Sequence, residues 1–78
     1  MLVYKIKMHV KWVYDYRIRY GLKGGKPLFV ERENILSKAI PAISGDMFEI
    51  LIEKMYEDGH ITKDDGHTLI FSKDFVFN

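Results

Sequence analysis

Three histidines, eleven acids and no cysteine are the stock from which this 78-residue chain would have to build a metal or acid–base site. A transition-metal site needs donors converging to about 2 Å from one point. His60 and His67 flank a hairpin turn at Asp65-Gly66, whose two-residue register sets His60 opposite Phe71 and His67 opposite Asp64. They are separated along the hairpin, and His9 lies in a different segment, so no metal is expected. Asp64-Asp65-Gly66 has the look of a calcium loop, but it lacks alternating acids before the glycine and a glutamate six residues after it. Turn formation accounts for it. Gly21, Gly24 and Gly25 beside Lys23 and Lys26 match neither the P-loop nor the dinucleotide fingerprint. Ser37, Ser44 and Ser72 sit in no nucleophile motif. No catalytic residue and no cofactor is expected, and the chain reads as a binder.

Charge carries the stronger signal. Residues 1–32 hold eight Lys or Arg against Asp15 and Glu31, whereas residues 33–78 hold four Lys against nine acids, so a net charge of +1 conceals two opposite halves. A basic face attracts a polyanion, because each cation that neutralises a phosphate releases a condensed counterion. The nucleic-acid-binding candidates are Lys5, Lys7, Lys11, Arg17 and Arg19, joined by Lys63. Trp12 and several tyrosines lie among them. The acidic half offers a second surface, Asp46, Glu49, Glu53 and Glu57, suited to a basic protein partner.

These side chains must be positioned by elements. From Tyr4 to Tyr20 every even position is apolar or aromatic, and the odd positions are polar except Val13. Period two is a strand signal. As one strand, 17 residues would reach roughly 56 Å, too long for a domain with a radius of gyration of about 12 Å. A turn near Val13-Tyr14-Asp15 shortens it. A three-residue loop pairs Trp12 with Tyr16, Val10 with Ile18 and Met8 with Tyr20, but sets Lys11 opposite Arg17 and His9 opposite Arg19. Like charges opposed in this way destabilise a hairpin unless an anion lies between them. A helix would spread the apolar and aromatic side chains around its whole circumference, although Met8, Trp12, Tyr16 and Tyr20 alone could line one stripe. Gly24-Gly25 then turns the chain into a short strand, Pro27 to Val30, with Tyr20 facing Phe29.

Two helices follow. The first spans about Glu31 to Ile40, with Ile35, Leu36, Ala39 and Ile40 as its apolar stripe and Pro41 as its stop. In the second, Met47, Phe48, Leu51, Ile52 and Met55 line the core side, and Gly59 ends it. Asp46 with Glu49 resembles a capping box, and Ser44 is the rival cap. A hairpin from Ile61 to Phe71 closes the pattern, and Phe75, Val76 and Phe77 return to the core. The expected fold is a single α+β domain over residues 1–78: an N-terminal antiparallel β-meander, two helices and a C-terminal β-hairpin.

Ala42-Ile43-Ser44-Gly45-Asp46-Met47-Phe48, Leu51-Ile52, Met55 and Glu57-Asp58-Gly59-His60-Ile61 together resemble the second half of a winged helix-turn-helix domain. The resemblance covers residues 42–72 and implies a helix, a short turn, a second helix and a hairpin wing at Ile61–Phe71. It implies a transcription-regulatory, nucleic-acid-binding role, with Lys63 and His67 on the wing. The family opens on a helix where residues 4–20 alternate, and its second helix reads the major groove, which Asp46, Glu49 and Glu53 would oppose. Two functions therefore compete: a small nucleic-acid-binding regulator, or an interaction module or small inhibitor that binds a host protein. An arm-like strand across residues 3–20 predicts a homodimer. No apolar run approaches a membrane span, and the N-terminus lacks a signal-peptide pattern, so the expected compartment is the cytoplasm.

Overall fold

A computed structural model describes residues 2–21 and 28–78 of the chain. The first element overturns the β-meander. Leu2–Arg19 is a continuous α-helix, α1. An extended segment of that length would overrun the molecule, whose longest dimension is 35 Å. At about 1.5 Å per residue the helix spans roughly 27 Å and fits. Its core seam is Ile6 and Val10, both buried, with Leu2, Val3, Val13 and Tyr14 packed beside them. That seam runs at three- and four-residue spacing, the helical repeat. Of the expected cross-strand pairs only Trp12 and Tyr16 remain neighbours, one helical turn apart, and the opposition of Lys11 to Arg17 and of His9 to Arg19 disappears. Gly21 terminates α1 at φ +66°, its N–H donating to the Ile18 carbonyl while that of Tyr20 donates to Tyr16. The left-handed conformation costs glycine nothing. The Gly24-Gly25 turn lies outside the described residues.

The rest of the chain forms β1 (Leu28–Glu31), α2 (Arg32–Asn34, running into a π-helical turn at Ile35–Ala39), α3 (Gly45–Glu57), β2 (Ile61–Asp64), β3 (Thr68–Phe71) and α4 (Lys73–Phe77). The class is α+β, but a helix comes first. β1 does not return against residues 16–20; it pairs antiparallel with β3, Leu28 opposite Phe71 and Val30 opposite Leu69. The sheet order is β1-β3-β2. In the hairpin Ile61 faces Phe71, Lys63 faces Ile70 and Asp64 faces Leu69, with an irregularity between Ile61 and Lys63. The expected register, His60 against Phe71 and His67 against Asp64, is therefore displaced. The turn is wider than two residues. Asp65 Oδ1 accepts from the N–H groups of His67 and Thr68, and Asp64 Oδ1 accepts from Gly66.

Ser44, not Asp46, caps α3, its hydroxyl accepting from the Met47 N–H at 3.2 Å. Asp46 sits in the first turn, where its charge complements the helix dipole. At the other end the His60 N–H donates to the Met55 carbonyl and the Gly59 N–H to Tyr56, the paired bonds of a Schellman stop with Gly59 at φ +83°. The π-helical turn closes with the Ile40 N–H reaching Ile35 O, while Ser37 Oγ donates back to Glu33 O. One core joins everything: Ile6 and Val10 of α1, Phe48, Ile52 and Met55 of α3, and Leu28, Val30, Ile61, Leu69 and Phe71 of the sheet. Val76 of α4 is buried and Phe75 packs against the core, but Phe77 stays half-exposed with its ring 5.2 Å from that of Tyr14.

Candidate nucleic-acid and protein interfaces

The helical form of α1 rearranges the basic candidates. In a strand, the cations and the rings would point to opposite faces. In the helix, Lys5, Lys11 and Arg19 are exposed on the side away from Ile6 and Val10, and Trp12, Tyr16 and Tyr20 are exposed with them at 61%, 46% and 62%. The rings form a chain, with centroids 5.6 Å apart from Trp12 to Tyr16 and 4.7 Å from Tyr16 to Tyr20. Met8 continues the ridge one turn earlier. Lys7 is half-buried and lies near α4, beside an apolar cleft that includes Val3, Tyr4 and Phe75.

Arg17 leaves the basic set. Its guanidinium donates to the Phe29 carbonyl at 2.7 Å and lies 3.9 Å above the Phe29 ring, so it pins α1 to β1. Burial lowers its pKa from the usual arginine range. Lys63 is exposed on β2, in the C-terminal hairpin and not on α1. The structure thus gathers Lys5, Lys11 and Arg19, keeps Lys7 at their margin, and separates Arg17 and Lys63 from them.

The acidic set lies along the outer side of α3. A groove of about 500 Å³ between α3 and β2 is lined by Glu49, Ile52, Glu53, Tyr56, Glu57 and Asp64. Ile50, 62% exposed, projects from the same helix. Glu49 is not a free charge. The Arg32 guanidinium bonds both Glu49 and Asp64, the latter at 2.8 Å, and lies 5.6 Å over the Phe48 ring. Burial works against the charged guanidinium, but the bonds and fields of Glu49 and Asp64 outweigh it and raise the Arg32 pKa. Arg32 therefore ties the start of α2 to α3 and to β2. It was missed from the sequence because nothing in its position announces a partner 17 or 32 residues away.

The histidines are dispersed. His60 packs its ring 4.6 Å from Phe75, His67 faces Glu31 at 3.6 Å, and His9 stacks on Trp12 with centroids 6.3 Å apart. Among the described residues, no group of three or more His, Asp or Glu is placed to hold a metal ion, and no helix is long and apolar enough to cross a membrane. Comparison with family models, curated proteins and solved structures finds no match for this chain.

Proposed function

We propose that this chain is a small nucleic-acid-binding protein of winged-helix type that engages phosphates through the exposed basic side of α1. The observation that carries the reading is the placement of Lys5, Lys11 and Arg19 on one solvent face, with no ion pair to any of them among the described residues. Cations without an internal partner remain available to release counterions from a polyanion. The order of elements supports the architecture. α1 supplies an opening helix, and α2, α3 and the β2–β3 hairpin follow in the sequence that the winged helix-turn-helix resemblance implies. The acids on the outer side of α3 argue against insertion of that helix into a major groove, so contact runs through α1, with Lys63 of the wing as a secondary site. Regulation of transcription is the role such binding would serve. Titration of labelled duplex DNA and single-stranded RNA with the protein tests the reading. Saturable binding that weakens with salt supports it, and no binding at low salt removes it.

A second reading has its own observation. The exposed Ile50 amid Asp46, Glu53 and Glu57 has the form of an apolar anchor with a charged rim, suited to a basic protein surface. Reversal of Glu53 and Glu57 to Lys separates the two. If α3 docks a basic partner, the reversal abolishes that complex and leaves nucleic-acid binding by α1 intact.

A further inference from the structure

Trp12, Tyr16 and Tyr20 stand one helical turn apart on the exposed side of α1, and His9 extends the row with its ring stacked on Trp12. The rings rest on one another, tilted by 30° from Trp12 to Tyr16 and by 44° from Tyr16 to Tyr20. That mutual contact orients them before any ligand arrives, so little side-chain entropy is lost on binding. At about 100° per residue, Lys5 and Arg19 fall within roughly 20° of Trp12 around the helix, one toward each end of the row. Lys11 lies about a quarter-turn to one side. A notch of about 110 Å³ is lined by Trp12, Asp15, Tyr16 and Arg19. The row thus offers open ring faces flanked by cations.

Phosphate contact uses the cations alone and leaves the rings without a role. The bases of a duplex keep their faces stacked inside the helix, out of reach of such rings, whereas a single strand can turn them outward. We infer, resting on the phosphate contact proposed above, that α1 binds single-stranded nucleic acid in preference to duplex. Bases stack on Trp12, Tyr16 and Tyr20, and Lys5, Lys11 and Arg19 hold the backbone. Spacing agrees with this. Successive rings advance about 6 Å along the helix, against about 3.4 Å per nucleotide in a stacked strand. A strand laid along the row is therefore drawn out, and its bases separate to meet the rings one at a time. Asp15 repels phosphate but accepts from a base amino group, so the notch takes a base edge and the backbone passes beside it. Stacking involves the base and not the sugar, so DNA and RNA strands are both ligands.

Trp12 is the only tryptophan in the chain, and it lies in the row itself. The probes are a mixed-sequence strand of about ten nucleotides, as DNA and as RNA, and the DNA strand annealed to its complement. Both single strands should bind roughly tenfold or more tightly than the duplex and quench Trp12 emission in step with binding. The duplex should leave that emission unchanged. Trp12→Ala with Tyr16→Ala should weaken single-strand binding by roughly a hundredfold, with duplex affinity and helical circular dichroism retained. Trp12→Phe, which keeps a ring face, should lose less than about tenfold. Equal affinity for strand and duplex with unquenched Trp12 emission overturns the stacking and leaves phosphate contact by α1 standing. So does a folded double-alanine variant that binds single strands as tightly as the wild type. No binding of either form at low salt removes the phosphate contact and the stacking with it.

Discussion

Replacing Arg32 with Ala should destabilise the fold by about 2 kcal/mol, and the structure apportions the loss. The Arg32 side chain is 14% exposed and the Asp64 carboxylate it bonds is 24% exposed, so water competes only in part for this 2.8 Å contact. A hydrogen bond between charged groups in that setting contributes about 1.5 kcal/mol, the low end for charge-assisted bonds. The second bond goes to Glu49, whose side chain is 63% exposed, and such a pair contributes only about 0.3 kcal/mol after screening. The guanidinium over Phe48 at 5.6 Å adds about 0.5 kcal/mol. For a domain of this size, about 2 kcal/mol corresponds to roughly 8–16 °C in Tm. The assay is urea unfolding of the wild type, Arg32→Ala, Asp64→Asn and the double variant. The cycle should return a coupling of about 1 kcal/mol for Arg32 with Asp64 and less than half of that in a parallel cycle with Glu49→Gln. Hydrogen exchange in residues 61–71 should accelerate in Arg32→Ala, since the β2–β3 hairpin loses its side-chain tie to α2. Equal coupling to both acids, or a total loss below about 0.5 kcal/mol, would refute this apportioning of the network.

Two further outcomes follow from the local geometry. His9 has its pKa lowered first by burial and then by the nearby charge of Lys38. The unfolded chain therefore binds a proton near pH 6.5 that the folded chain still refuses, so His9 costs stability as pH falls below 6.5 and the loss levels off below its folded pKa. The Tm difference between wild type and His9→Gln should change between about pH 7.5 and about pH 5, and Lys38→Ala should remove only the smaller share of that change. At the start of α3, Ser44→Ala should cost about 1 kcal/mol in urea unfolding. Asp46→Asn should cost roughly 0.3–0.5 kcal/mol, because it loses only a first-turn charge; the opposite ranking would reassign the cap.

How far the sequence could be followed depends on what each segment shares with its alternatives. For residues 31–71 the helical stripes and Gly59 each favour one structure, and helix, helix and hairpin stand close to where they were expected, although the hairpin register differs from the one a two-residue Asp65-Gly66 turn would set. The cap was narrowed to two residues, and only geometry chose Ser44. Residues 4–20 were misread because a four-residue spacing is a multiple of two: Met8, Trp12, Tyr16 and Tyr20 satisfy strand alternation and a helix face alike. Val3, Ile6, Val10 and Val13 break the tie, since their intervals of three and four fit no strand face. Gly21 breaks it again as a helix stop. The β-branched residues in that stretch lower intrinsic helix propensity, but burial of Ile6 and Val10 against the core outweighs a preference of under about 0.7 kcal/mol per residue. The basic candidates survive the change of element with a different membership. Arg17 turns inward to Phe29, whereas Lys5, Lys11 and Arg19 come to share their face with the rings. Contacts between distant segments, such as Arg32 with Glu49 and Asp64, leave no local pattern to find.

The basic face of α1 is tested most directly by the salt dependence of nucleic-acid affinity. For a labelled duplex, the logarithm of the association constant should fall linearly with the logarithm of salt concentration, at about 0.9 per phosphate neutralised. Lys5→Ser with Lys11→Ser and Arg19→Ser should flatten that slope by about 2.7 if each cation meets one phosphate. None of the three has a carboxylate partner among the described residues, so thermal stability should hold. A flattened slope at unchanged stability is the result predicted. An unchanged slope in a folded triple variant would contradict the account and remove α1 as the polyanion surface.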